Sequence, residues 1–437
     1  MDHPITDILK RRAVSKNAGI YSACTAAPLV IKAVARTAAE NGLVALIEAT
    51  ANQVNQFGGY TGMRPADYAG FVRSIAAREG LSDDMLVLGG DHLGPLTWKD
   101  RPESEAMDLA EALVIEYVLA GFTKIHIDTS MRLGDDDPSA PLAEEKIASR
   151  GARLALAAEK AYAELVKTKP DAMHPIYCIG SEVPIPGGEQ GSDSVSVTRP
   201  EAFCATVDAF RAAFDKVGAS DAWNYVRGVV VQPGVEFGDD TVHGYDRAAA
   251  SELCNMLKQY PGLVFEGHST DYQTKEALLH MVEDGIAILK VGPALTFAMR
   301  EGLFALECIE KELCCGELSD FRATLERVML QSPGNWKKYY YGTDAELAVK
   351  RAFSYSDRCR YYLPNAEVEA AMEKLFANIR GVKLPLSLLS QYMPMQYTAV
   401  REGRIKADPE ALVMDRIGNC IDEYLFALES PEEVPLF

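Results

Sequence analysis

The chain has 437 residues, of which 48% are hydrophobic and 24% charged, a balance that suits a globular fold with a large core. A net charge of −19 excludes nucleic acid as a partner, since phosphate backbones bind basic faces, and no apolar run approaches the roughly 18 residues of a membrane span. Nine cysteines without CxxC spacing fit reduced thiols, and the first residues lack the apolar stretch of a secretory signal, so a cytoplasmic protein is expected.

Eight short β-like runs follow one another along the first two thirds of the chain. They are residues 19–25, 43–49, 85–89, 124–128, 175–179, 228–232, 263–266 and 286–291. Helical patterns separate them at 28–41, 65–78, 103–120, 143–167, 199–217, 246–259 and 273–283. Pro28 and Pro65 stand where a first helical turn tolerates proline, and Asp67 sits beside the positive end of its helix dipole. Eight strands that each feed a helix predict an α/β fold, a closed (β/α)8 TIM barrel. A doubly wound sheet fits less well, because polar residues follow nearly every strand.

Residues 1–300 are assigned to the barrel and 301–437 to a mostly helical, Tyr-rich C-terminal extension packed on it. A long amphipathic helix is expected over 297–315 and another over 366–379. Trp336 and the run Tyr339, Tyr340 and Tyr341 suit core filling, a subunit interface or a lid over the barrel mouth.

Strand C-termini in such a barrel face the active site, and this chain is polar there. His92, His243 and His268 each follow an apolar run, so three imidazoles from separate strands are expected to hold one divalent metal, preferably zinc. Asp91 precedes the first of them and is the expected proton-moving carboxylate. Glu182, after the fifth strand, is a second candidate catalytic carboxylate or a further ligand. Glu48, Asn52, Gln53, His126, Asp128, Gln232, Glu266, Ser269 and Lys290 occupy the other strand ends as expected substrate-binding groups. His126 and Asp128 are two apart and so share a strand face. His174 lies before its strand and reads as structural. No GxxxxGK[ST] or strand–turn–helix GxGxxG is present, so nucleotide binding has no motif behind it.

The stretches IEATANQVNQFGGYTGMRPADY, GGDHLGP, HIDTS, YCIGSEVPIPGG, VVVQPGVEFG, FEGHSTDYQ and LKVGPALTFAMRE resemble the Z-subunit (GatZ/KbaZ) family of tagatose-1,6-bisphosphate aldolase. SYSDRCRYYLP and PLSLLSQYMP extend the likeness into the C-terminal part. That family is similar to the class II, metal-dependent aldolases. The resemblance implies metal polarisation of a ketose carbonyl, with Asp91 exchanging a proton with the C4 hydroxyl and His92, His243 and His268 as ligands. It also implies an oligomer and a role as a stabilising, activating partner of a separate catalytic Y-type subunit. The alternatives are an autonomous ketose 4-epimerase or aldolase, and a non-catalytic scaffold with a vestigial pocket. The expected substrate is a ketose or ketose phosphate. Arg358, in the shared C-terminal motif, is expected to reach a substrate phosphate, with Arg360 beside it. Two departures from class II aldolases stand out. The text after strand seven is HSTDY where they carry a small-residue phosphate loop, and Gly292 stands where they carry an asparagine. The family has also carried a kinase label, which the missing phosphate motif argues against.

Overall fold

The computed structural model describes residues 2–180, 195–313 and 316–428. Eight parallel strands close into a barrel in the order β1 (Ile20–Cys24), β2 (Ala45–Thr50), β3 (Leu86–Leu93), β4 (Lys124–Ile127), β5 (Ile176–Ile179), β6 (Val226–Val231), β9 (Val264–Gly267) and β10 (Ile286–Val291). The closing pair is β10 with β1, where Ser22 lies opposite Lys290. Between β6 and β9 the chain inserts a small antiparallel hairpin, β7 (Glu236–Phe237) and β8 (Val242–His243). This is the (β/α)8 barrel expected from the alternating pattern. The hairpin escaped the sequence reading because two-residue strands carry no periodicity.

Strand alternation builds the interior in layers. Ile20, Leu46, Val87, Ile176, Val264 and Ile288 form an apolar floor, closed from below by Ile5, Ile8 and Leu9 of the N-terminal helix Pro4–Lys10. Two residues further along the same strands come Ser22, Glu48, Gly89, Cys178, Glu266 and Lys290. Two further still come Cys24, Thr50, Asp91, His268 and Gly292, which line a cavity at the C-terminal mouth. The floor is packed like any core, whereas the upper layers are charged and buried.

Strand β3 runs four residues past its expected end. The apolar run was expected to end at Gly89, yet β3 stays paired with β2 as far as Asp91 opposite Thr50. The glycine at 89 serves space: a Cβ there would come within 2.3 Å of Glu48 Oε1.

Helices Pro28–Asn41 and Pro65–Arg78 have the expected bounds, and on the second the Asp67 carboxylate accepts from the Arg64 backbone N–H at 3.0 Å. The C-terminal part is helical at Pro293–Leu313, Phe321–Gln331, Asp344–Phe353, Ala366–Arg380, Leu386–Tyr392, Pro394–Arg401 and Pro409–Ala427. Helix Pro293–Leu313 runs across residue 300 without a break. The last helix lies against Pro293–Leu313, Lys275–Glu283 and Pro28–Asn41. Its Tyr424 hydroxyl donates to the Thr270 carbonyl at 2.9 Å, tying the extension to the loop after β9. Trp336 and Tyr340 are buried core, Tyr341 is exposed, and Tyr361 reaches the cavity wall. No helix among the described residues is long and apolar enough to cross a membrane.

Candidate metal centre and cavity

Asp91 and His92 are neighbours, and regular alternation would point them to opposite faces. The strand avoids this in two ways. Its register with β4 shifts between Gly90 and Leu93, and His92 adopts a left-handed backbone, φ 47°. Both side chains therefore reach the interior. The turn that follows is tight: a Cβ on Gly94 would sit 1.7 Å from the Asp128 carbonyl oxygen. Strained backbone of this kind collects where function constrains it.

Three imidazoles face one another across the mouth. The ring centroids of His92, His126 and His268 are 5.0, 5.0 and 5.2 Å apart. Each ring is oriented from outside by an acceptor. His92 Nδ1 donates to Asp128 Oδ2 at 3.1 Å, His126 Nε2 to the Gly180 carbonyl at 3.1 Å, and His268 Nε2 to Glu266 Oε1 at 3.1 Å. In the neutral rings the opposite nitrogens are then lone-pair donors turned inward. His92 Nε2 faces Asp91 Oδ2 at 3.6 Å, and His126 Nδ1, which accepts from the His92 N–H at 3.2 Å, lies 2.9 Å from Asp91 Oδ1. His268 Nδ1 is buried with no hydrogen-bond partner among the described residues. Acceptors set against acceptors call for a proton or a cation. Ligand atoms of Asp91, His92, His126 and His268 all lie within 4.8 Å of one another. An outer acceptor fixing each ring is the usual support of a histidine metal site.

Beneath this cluster lies a buried charge network. Lys124, fully buried, bonds Glu48 and Glu266 at 2.8 Å each. Lys290 bonds Asp91 Oδ1 at 2.7 Å and also pairs with Glu48 Oε2. Three carboxylates, those of Glu48, Asp91 and Glu266, face the two ammonium groups and Asp128 faces the His92 ring, so with neutral imidazoles the four carboxylates leave a formal excess of two negative charges. A divalent cation would balance it.

The electrostatics follow. Burial opposes ionising Asp91, but His92, Lys290 and the His126 bond hold its carboxyl well below the usual range. Burial likewise opposes charging His92, yet Asp91 and Asp128 raise its pKa. Burial, with Lys290 and His92 nearby, pushes His268 down to about 3, so that ring is neutral. Burial works against the Lys290 ammonium too, and Asp91 and Glu48 overcome it and raise its pKa. An ammonium held this way is not a free amine, so Lys290 is unsuited to forming a Schiff base.

The cavity above the cluster is about 120 Å³. Asn52, Gln53, Ser269 and Lys290 line it, as the sequence led one to expect. Glu48 and Glu266 sit below it in the network, and His126 and Asp128 hold the cluster from the side. Other expectations meet a different geometry. His243 lies on β8, outside both the cluster and the cavity wall, and its carbonyl accepts from Gln273 Nε2 at 2.8 Å. The inward position expected for it is filled by His126, because the chain after β6 leaves the barrel as a hairpin. Gln232 Oε1 accepts from the Gly234 and Val235 amides and shapes its own loop. Arg358 packs against the Tyr339 ring, 3.3 Å from its centroid, away from the cavity, while Arg360 lines it. Glu182 lies outside the described residues. His174 stacks on Tyr225 and bonds Glu159, a structural use.

The sequence reading missed Lys124, Asp271 and Tyr60. Lys124 carried a legible signal, since it shares a strand face with His126. Asp271 and Tyr60 sit on loops, where no periodicity marks them.

The fold and cluster define a (β/α)8-barrel protein with a buried site consistent with a divalent metal. The chain belongs to the family of D-tagatose-1,6-bisphosphate aldolase subunits of the GatZ/KbaZ-like type, whose model matches residues 5–429. It is similar to a crystal structure described as a probable tagatose 6 phosphate kinase from Sinorhizobium meliloti 1021. The identity is 45%, the TM-score 0.86, and the match covers 94% of this chain and 100% of that one. More distant is the fructose-bisphosphate aldolase of Campylobacter jejuni, at 13% identity and TM-score 0.44, covering 88% of this chain and 96% of that one. A putative fructose-1,6-biphosphate aldolase from Coccidioides immitis matches at 14% identity and TM-score 0.40, covering 86% and 96%.

Proposed function

We propose that the chain is a Z-type, stabilising and activating subunit of a D-tagatose-1,6-bisphosphate aldolase. It works in the cytoplasm in tagatose, galactitol or amino-galactose breakdown, beside a catalytic Y-type chain. The observation that supports this reading is the family match along residues 5–429, extension included. We further propose that His92, His126 and His268 hold a divalent ion beside the Asp91 carboxylate. Three imidazoles and a carboxylate favour zinc. Such an ion, when bound, supplies Lewis acidity to a ketose carbonyl or enediolate. Of the protein's own groups, Asp91 is kept ionised to take a proton from a substrate hydroxyl. Lys290 fixes that carboxylate in place, and Asn52, Gln53 and Ser269 orient the sugar's hydroxyls.

One observation favours a second reading, an autonomous ketose aldolase or 4-epimerase: the cluster is buried, oriented and joined to a carboxylate, which a scaffold has no use for. One experiment separates the two. The purified chain is assayed alone with D-tagatose 1,6-bisphosphate, D-tagatose and D-fructose, then with a Y-type chain added. The subunit reading expects no product alone and a raised rate and thermal midpoint of the Y-type chain in the mixture. Turnover by the lone chain, with no effect on the partner, would establish the second reading instead.

A further inference from the structure

The C-terminal extension sends one cation into the cavity wall. Asp357 has a left-handed backbone, φ 44°, and opens the short 3-10 helix Arg358–Tyr362. Its buried carboxylate is clasped by the barrel. Oδ1 accepts from Arg300 Nε at 2.8 Å and Oδ2 from the Thr296 hydroxyl at 2.7 Å, both on helix Pro293–Leu313. The segment is thereby pinned to the helix that follows β10. Arg360 then lines the cavity beside Tyr60 and Tyr361, whose rings meet edge-on at 5.0 Å.

Arg360 has neutral partners only. Nη1 donates to the Ser356 carbonyl and, at 3.1 Å, to the Asp357 carbonyl, and Nη2 donates to the Tyr361 hydroxyl at 2.9 Å. Among the described residues no carboxylate forms an ion pair with it. Asp357 and Asp271 act on it only through longer-range attraction. Each has partners of its own: Asp357 those above, and Asp271 the Gly292 and Ala294 amides at 3.0 and 2.8 Å. Lys290, the other long cation of the wall, is engaged by Asp91 and Glu48.

A guanidinium carries five N–H donors. The three bonds leave Nε and one hydrogen on Nη2, and these two nitrogens share one edge of the group. Such an edge is a fork that grips a phosphate or carboxylate through two parallel hydrogen bonds. Elsewhere the wall offers an anion less. Asp91 sits at the floor, and Asn52, Gln53 and Ser269 are neutral.

We propose that Arg360 anchors the phosphate of a ketose phosphate in this cavity. The C-terminal extension, not the barrel, supplies the charge that selects the phosphorylated ligand. This rests on the ketose-phosphate reading of the cavity given above, and not on the subunit role.

Calorimetric titration of the full chain with D-tagatose 1,6-bisphosphate, D-tagatose 6-phosphate, D-tagatose and the ketose acid D-tagaturonate tests it. The quantity read is the ratio of affinities, phosphorylated over free ketose. The wild type is expected to show a ratio of about tenfold or more, and Arg360→Gln a ratio near one. Arg360→Lys keeps the charge without the fork and is expected to retain about threefold. A merely structural role for Arg360 would weaken both ligands alike and leave the ratio where it was. The proposal is overturned if the wild type does not prefer a phosphorylated ketose, if it binds the ketose acid more tightly, or if folded Arg360→Gln keeps the wild-type ratio. Should circular dichroism show that variant unfolded, a wild-type ratio in Arg360→Lys overturns it instead. Binding of no ketose at all would bring down the reading of the cavity along with the anchor, whereas a ketose bound without the ratio removes the anchor alone. Activation of a Y-type chain, measured separately, reports on the subunit role.

Discussion

At the scale of single residues, the three imidazoles differ in what they give to stability and to metal binding. With His126 in the cluster and His243 outside it, the proposed metal centre predicts that His92→Ala, His126→Ala and His268→Ala each lose the divalent ion, while His243→Ala retains it. Metal content by mass spectrometry of the purified variants checks this, and zinc loss in His243→Ala would move the centre back towards the hairpin. His268 also makes the metal-free protein sensitive to acid. Its folded pKa of about 3 lies below the ordinary 6.5, so the unfolded chain takes up a proton that the folded chain refuses. The stabilisation is complete above pH 6.5 and is lost as pH falls from there towards 3, by at most ~1.4 kcal/mol per pH unit. His3, pushed by burial down to about 4, adds a second loss of the same sign. Urea unfolding at pH 7.5 and 5 with a chelator present should show this slope, and His268→Gln should flatten it. Lys124 is a different case. Lys124→Met leaves Glu48 and Glu266 facing each other without their shared cation, an expected loss of ~3–5 kcal/mol. An unchanged unfolding midpoint would show that Lys290 alone can neutralise them.

At the scale of elements, β3 decides the site. Its first half is an ordinary buried strand, and its second half delivers two adjacent side chains to one face by a register shift and a left-handed residue. Gly89 is part of the same arrangement. Gly89→Ala puts a methyl against Glu48 Oε1, and ~1–3 kcal/mol of stability should be lost as Glu48 is pushed aside. Differential scanning calorimetry measures the loss, and reduced zinc retention should accompany it because Glu48 helps position Lys290 and through it Asp91. A variant with wild-type stability and metal content would mean that Glu48 has another rotamer available. The short helix Pro4–Lys10 does the opposite job at the other end, sealing the floor with Ile5, Ile8 and Leu9.

At the scale of the whole molecule, the C-terminal part is built into the barrel's outer ring. Leu412, Ile417 and Ile421 of the last helix are fully buried. Ile417→Ala or Ile421→Ala should each cost ~2–5 kcal/mol, as for any large-to-small change in a packed core. Tyr424→Phe should cost only about 1 kcal/mol, the usual net worth of one hydrogen bond. Thermal midpoints rank these. If the isoleucine variants melt like the wild type, the helix is not part of the cooperative unit. The extension also supplies Arg360 and Tyr361 to the cavity wall, so the site is incomplete without it.

The alternation of apolar runs and helical patterns was enough to determine the eight-stranded barrel, because periods of two and of roughly 3.6 are local properties of the chain. The same local signal brought Asp91, His92, His268, Asn52, Gln53, Ser269 and Lys290 to the mouth, since residues at strand ends in this fold point there. What the periodicity could not supply was the identity of the third imidazole. His126 and His243 both follow apolar text, and only the closed barrel, with β6 running on into a hairpin, turns one inward and the other away. Nor could it assign Arg360 over Arg358, or bring Asp271 onto the amides of a helix that starts 22 residues later. Those are contacts between distant segments, and they exist only once eight strands have closed on themselves.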